Sequence, residues 1–490
     1  MSRLMMSVSS STRAWCSGHA RRRLGLEALI DAAVRLGGRP GASRPGRKVL
    51  SLMHAMLLGA DCIDDCDVLR AGNTEAILDH RAMAPSTLGT FLRSFTFGHV
   101  RQLDRVLGQA LGCAWKLGVG PGSGRLVVDV DSFVGEVHGH DKRGAGYGYT
   151  GKLGYHPIVA TRADTNEVLH VRMRNGRANT QRGALRFVDE LIARVRKAGA
   201  SGPILLRADS GFWNKKVTAR LRAQSCEYSI GVPMHKIVSA QIAQIADDAW
   251  LRVVDYPDSA ICEVAETTLG DDRLIVRRVH LHAQDQQTEL FAFWRHHAFI
   301  TNRTEGLHEV DAEHRQHAVV ELVIRDLKAQ ALAHFPSGHY NANSAWTVIA
   351  CLAHNLGRWT DVLGLADSTP RAAATLRRRL FAIPGRLTKT ARRWTLHLPA
   401  RWPWQTDFLQ ALTRIRALPP PETARRRRRT PAPATGAIAR CPQTAAATRG
   451  GAHLAVAPPA SDRNDDNAGS AGRTSPIQRP APRRPRRTVD

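Results

Sequence analysis

The run Leu126-Val127-Val128-Asp129-Val130-Asp131-Ser132 sets the strictest terms for the fold. It is an apolar strand pattern that closes on acids. Side chains alternate across a strand, so Asp129 and Asp131 share one face while Val128 and Val130 share the other. A second run, Ile204-Leu205-Leu206-Arg207-Ala208-Asp209-Ser210-Gly211, ends the same way. A desolvated carboxylate is costly unless it is paired or metal-bound, so these ends are either turn and cap positions or parts of a charged site. A third acid, Glu321, stands on a strongly helical segment downstream.

The segments around these runs predict a mixed α/β core. Strands are expected at 155–161 and 168–173, a helix over about 182–197, the strand ending at Asp209, a helix over 215–222 and a strand over 228–232. Upstream, residues 1–45 read as a basic, flexible lead-in, and residues 46–120 as a small helical domain. Within it, Val49, Leu50, Met53, Met56 and Leu57 recur at helical spacing, and Pro85-Ser86-Thr87 is a sound helix start. The helix from Pro85 is either the later helix of a helix-turn-helix or one member of an amphipathic bundle. The core is expected over 121–232 and 306–365. Short alternating runs over 233–305, such as Arg273 to Leu281 and Leu290 to Trp294, predict a β-rich insertion. Residues 366–418 form a basic region whose Trp394, Trp402 and Trp404 either stack on bases or cap the core.

Leu307 to Phe335 predicts one long helix. At about 100° per residue, His314, His317, Glu321 and Lys328 fall on one stripe and Val320, Val323, Ile324, Leu327 and Ala331 on the neighbouring one. The helix can therefore pack on a sheet while aiming Glu321 and Lys328 along one edge. His314-x-x-His317-x-x-x-Glu321 is either a metal site or a solvated face.

Charge narrows the class of partner. The 490 residues hold 70 Lys+Arg against 43 Asp+Glu, a net charge of +27. Residues 419–490, rich in Arg, Pro and Ala and expected to be disordered, account for +9, so the remainder is itself strongly basic. An anionic polymer is the natural partner, with non-specific nucleic-acid affinity in the tail. The 8 cysteines include no Cys-x-x-Cys, and Cys62 and Cys66 are the one close pair, which fits reduced thiols and a cytoplasmic protein. No apolar run reaches the roughly 18 residues that cross a bilayer, and Arg21-Arg22-Arg23 is not followed by a signal core.

Three acids on two strand ends and a helix, in a basic chain, suit divalent-metal phosphoryl transfer. At this point the residues resemble a family. Asp129-Val130-Asp131-Ser132, Gly151-Lys152-Leu153-Gly154-Tyr155-His156-Pro157, Arg207-Ala208-Asp209-Ser210-Gly211-Phe212, and Glu321 with Lys328 seven residues on are similar to the motifs of bacterial insertion-sequence DDE transposases. The resemblance covers about residues 45–365. It implies an RNase-H-like mixed sheet flanked by helices, with the 46–120 region binding DNA and the strand-rich insertion between the second Asp and the Glu. It implies that Asp131, Asp209 and Glu321 bind two Mg²⁺, with Mn²⁺ a possible substitute, and that Asp129 is the alternative first acid. Lys328 would contact DNA near the cut, with His314, His317, Arg325 and Lys152 as further DNA contacts. The family motif carries Tyr and Arg where His314 and His317 stand, and Thr where Phe133 stands. The implied activity is cleavage at terminal inverted repeats and strand transfer into target DNA by a homodimer on the DNA, in the cytoplasm at the nucleoid, with a nuclease lacking strand transfer, or an inactive DNA-binding remnant, as the alternatives.

Overall fold

The computed structural model describes residues 6–9, 16–71, 74–78, 80–256, 260–281, 294–365, 369–383, 385–391, 393–399 and 401–421. The tail beyond residue 421 and most of the run from Leu290 to Trp294 lie outside the described residues.

The helices that open the chain include α1 (Cys16–Arg23), α2 (Leu26–Ala33), α3 (Pro45–Leu57), α4 (Pro85–Arg93) and α5 (Phe97–Ala114). Both α3 and α4 begin on Pro, whose missing N–H costs nothing in a first turn. The lead-in is not uniformly loose: Cys16, Ala20, Leu24, Leu26 and Ile30 are fully buried, although the basic, Ser- and Gly-rich sequence shows no clear period. Tertiary burial supplies the stability that local pattern does not. Helix α4 buries Leu88, Phe91 and Leu92 against α3 and the later helix over Tyr340–Gly364.

A nine-stranded sheet follows. Its strands are β1 (Leu126–Ser132), β2 (Ile158–Arg162), β3 (Val168–Arg172), β4 (Ile204–Ala208), β5 (Glu227–Val232), β6 (Leu251–Arg252), β7 (Ala260–Leu269), β8 (Asp272–Leu281) and β9 (Arg295–Thr301). Helices α6 (Ala184–Ala198) and α7 (Lys215–Ala223) connect β3 to β4 and β4 to β5. The spatial order is β6-β7-β8-β9-β5-β4-β1-β2-β3. Strands β1, β2 and β3 are antiparallel, and β4 and β5 are added parallel to β1. That order, 3-2-1-4-5 with the last two reached by helical crossovers, is the RNase-H-like arrangement. The strands of the expected insertion continue this sheet, because β9 pairs antiparallel with β5 from Ala298–Val232 to Thr301–Ser229.

The predicted long helix is broken. It forms α8 (Leu307–Arg315), a 3₁₀ turn over Gln316–Ala318 and α9 (Val319–Lys328). Helix α10 (Tyr340–Gly364), most of whose residues are buried, then packs on α1, α3, α4, α5, β3 and α11 (Gln405–Ala417). One contiguous apolar core extends from Cys16 to Ile415, so the N-terminal helices and the central sheet share it. Trp402 is buried edge-on to Trp404, with ring centroids 6.4 Å apart, and packs on Phe408. These two tryptophans cap the core.

Candidate active site

The parallel register of β1 and β4 pairs Val130 with Ala208, so Asp131 and Asp209 are the next residues on adjacent strands. Both stand at the C-terminal edge of the sheet. By alternation they share a face with Asp129 and Arg207, and the α8–α9 segment covers that face.

Asp129 is fully buried and both its oxygens are taken. Arg207 donates from Nε to Oδ1 at 2.7 Å and from Nη2 to Oδ2 at 2.8 Å, and His317 Nδ1 lies 3.0 Å from Oδ1. Arg207 also donates through Nη1 to the Glu313 carbonyl at 2.5 Å. It thereby ties the end of α8 to the sheet at the helix break, where main-chain carbonyls need partners. Asp129, the alternative first acid, is thus committed to an internal ion pair.

Asp131 is half-buried, and its Oδ1 accepts from the Ser132 N–H at 2.6 Å. Burial pushes its carboxyl up to about 6, and the negative charges of Asp209 and Glu321 add to this while Ser132 N–H and His317 oppose it. Asp209 caps a short turn by accepting from Gly211 N–H at 3.1 Å. Its carboxyl is raised by desolvation, against the influence of His317 and His156. Glu321 is exposed in the first turn of α9, whose Val320, Val323, Ile324 and Leu327 are buried where the helix packs on β1 and β2. The three carboxylates do not draw within 4.8 Å of one another as a set. Among the described residues, the set of metal-type donors that does so is Asp61, Cys62 and Asp65, in a surface turn where Asp65 Oδ2 accepts from the Asp61 and Cys62 N–H groups.

The glycine-rich excursion forms a small sheet of Gly135–Glu136, Gly146–Tyr147 and Leu153–Tyr155 beside these acids. Lys152 pairs with Glu136 on it, and Lys328, at the end of α9, lies near enough to lower the Glu136 carboxyl together with Lys152. Arg325 is exposed on α9.

His314 departs from the expected stripe. The 3₁₀ turn rotates it away from Glu321, and it stacks on Phe299 with ring centroids 3.9 Å apart while its Nδ1 lies 2.7 Å from Ser229 Oγ. Burial holds its imidazole down at about 3, so it is neutral and turned toward the sheet, which does not fit the expected DNA contact. The sequence reading missed Arg207 as well. The signal was present: Arg207 precedes Asp209 by the same two residues by which Asp129 precedes Asp131, which places the cation opposite the buried acid.

No helix among the described residues is long and apolar enough to cross a membrane. A search of curated proteins finds no match. Among solved structures, the cryo-EM structure of the piggyBac transposase synaptic complex with hairpin DNA aligns over 75% of this chain and 78% of that one, at 11% identity and a TM-score of 0.42. That likeness is too weak to argue from. The sequence model of the family described as transposase DDE domain group 1 matches residues 8–420. With that match over most of its length, the chain belongs to the DDE transposase family, group 1, and is a DNA transposase.

Proposed function

We propose that this transposase mobilises a bacterial insertion sequence, binding its terminal inverted repeats, cutting at them and joining the freed 3′-hydroxyl to target DNA. Asp131, Asp209 and Glu321 are the catalytic acids in this reading, and the observation that carries it is the juxtaposition of Asp131 and Asp209 on adjacent strand ends with the charge of Glu321 acting on Asp131.

The donor set fits hard divalent cations such as Mg²⁺, with Mn²⁺ able to substitute: it offers carboxylate oxygens only, and they repel one another. Because the three carboxylates do not draw within 4.8 Å of one another as a set, engaging all of them would take more than one ion. Bound there, such ions supply Lewis-acid activation of the attacking oxygen and neutralisation of the leaving one. The protein's own part is to hold the acids on rigid strands, with Asp129 neutralised by Arg207 behind them. Lys328, Arg325, Lys152 and His317 would hold the DNA backbone, and the helical region of 46–120 would add affinity. Pairing two DNA ends calls for two copies of the chain.

The test is Asp209→Asn in an assay that reads binding, cutting and joining of end-bearing duplexes separately. Binding is retained and both chemical steps are lost. A variant that still joins ends overturns the acid assignment, and a wild-type protein that cuts without joining makes it a nuclease of the same fold.

A further inference from the structure

His156 closes the motif Gly154-Tyr155-His156-Pro157 and is 1% exposed. Its Nδ1 lies 2.6 Å from the Ala178 carbonyl oxygen, which can only accept, so the hydrogen sits on Nδ1 and Nε2 keeps a lone pair. Nε2 is buried and meets no hydrogen-bond partner. Buried polar atoms are nearly always paired, so an orphan acceptor beside a reactive centre calls for a partner that arrives with the substrate.

The surroundings place this nitrogen at the acid edge. Pro157, the next residue, accepts from Phe133 N at 3.1 Å, two positions beyond Asp131. Thr180, in the turn that His156 anchors through Ala178, has its Oγ1 3.4 Å from Ser132 Oγ. A Cβ added at Gly211 would meet Thr180 at 3.0 Å and Asp209 Oδ1 at 3.2 Å. His156 therefore adjoins the ends of both β1 and β4. It does not join Asp131 and Asp209 in a set of donors within 4.8 Å, so it would not share one ion with both. Tyr149, 79% exposed in the loop after the Gly146–Tyr147 strand, has its ring tilted against the imidazole with centroids 5.7 Å apart.

We propose that His156 is a further catalytic residue, whose Nε2 accepts a hydrogen bond from the attacking hydroxyl and aims its oxygen at the phosphorus beside Asp209. The hydroxyl belongs to water in cutting and to the DNA 3′-end in joining. The new P–O bond forms as the bond to the leaving oxygen breaks, and the hydroxyl proton passes to solvent. This inference rests on the acid assignment proposed above.

Two variants separate the ring's two nitrogens. His156→Asn keeps an N–H for the Ala178 carbonyl and removes the outer acceptor, whereas His156→Gln restores an acceptor oxygen near the position of Nε2. The Asn variant lowers kcat for cutting about 100-fold with KM for DNA unchanged, and the Gln variant regains about tenfold of that. An Asn variant as active as wild type, with Gln impaired, shows a structural anchor only and overturns the proposal. Independently of activity, the nitrogen resonance of Nε2 in wild-type protein labelled at histidine shifts when duplex DNA bearing the element's ends is added with Ca²⁺. An unmoved resonance overturns the proposal even if the variants fail to fold. If Asp209→Asn still cuts and joins, the acid assignment fails instead, and that outcome is separate from either histidine result.

Discussion

Arg207 and Asp129 form a two-pronged ion pair in the centre of the sheet, at 2.7 and 2.8 Å, with side chains 1% and 0% exposed. The pair lies directly behind the acid edge, and the remaining guanidinium nitrogen holds the end of α8 through the Glu313 carbonyl. One cation therefore neutralises a buried acid, sets the spacing of sheet and helix, and leaves Asp131 and Asp209 as the unpaired carboxylates in front.

Arg207→Ala leaves Asp129 charged and buried, which costs about 3–5 kcal/mol. A large fall in Tm is expected, and Arg207→Lys restores little of it because a point ammonium cannot reproduce the planar fork. A Tm for Arg207→Ala within 2 °C of wild type, by calorimetry, would show the pair to be dispensable.

Glu167 is fully buried and accepts from two indoles, Trp115 Nε1 at 2.9 Å and Trp359 Nε1 at 2.6 Å. These contacts stitch α10 and the end of α5 to the turn before β3. Glu167→Ala strands both donors and destabilises by roughly 2–4 kcal/mol, whereas Trp359→Phe frees one acceptor site at a smaller polar cost. Denaturant midpoints measured for the two variants check the ranking.

A Cβ on Gly176 would sit 2.0 Å from the Gly154 carbonyl oxygen and 2.4 Å from that of Gly146. Neither atom belongs to a side chain that can swing away. Gly176→Ala is therefore expected to push apart the small sheet that carries Lys152, lowering cutting at least tenfold while the main sheet still melts cooperatively. Equal cutting rates for the variant and wild type would contradict this.

His314 and His317 should behave oppositely. His314→Gln loses the Phe299 stack and lowers Tm, but leaves DNA affinity unchanged, since the ring faces the sheet. His317→Ala removes the group between Asp129 and the acid edge and slows cutting. Parallel stability and filter-binding measurements on both variants distinguish these outcomes, and weakened DNA binding in His314→Gln would count against the geometry.

Stability should fall in mild acid. Burial holds His19 down to about 4, helped by the surrounding Arg416, Arg22, Arg23 and Arg21, and holds His54 well below its usual range. Both folded-state values lie below the unfolded 6.5, so the unfolded chain binds more protons under that pH. The stability tied to neutral imidazole is present above about pH 6.5 and is lost progressively toward pH 4. Asp104 adds a second phase at lower pH: His170 and Arg194 hold its carboxyl far below the usual range despite burial, so protonation there costs the paired state. Tm across pH 8 to 3 measures this, and His19→Gln should flatten the first phase.

The placing of the acids at one edge of the sheet was largely legible in the chain itself. Alternation in Leu126–Ser132 placed two acids on one face, the matching Ile204–Asp209 run supplied the third position of that layout, and a helical period around Glu321 predicted an apolar side for packing. Those are local properties, and they hold whatever the rest of the chain does. Which acid stays free was a tertiary matter. Asp129 and Asp131 are indistinguishable by period, and only the register of β1 against β4 brings Arg207 to one of them. The break between α8 and α9 likewise depends on carbonyls captured by that arginine, so His314 turned inward although its spacing put it beside Glu321. The buried helices within the lead-in, and the joining of the insertion strands to β5, follow from a core shared across hundreds of residues, which no window of sequence contains.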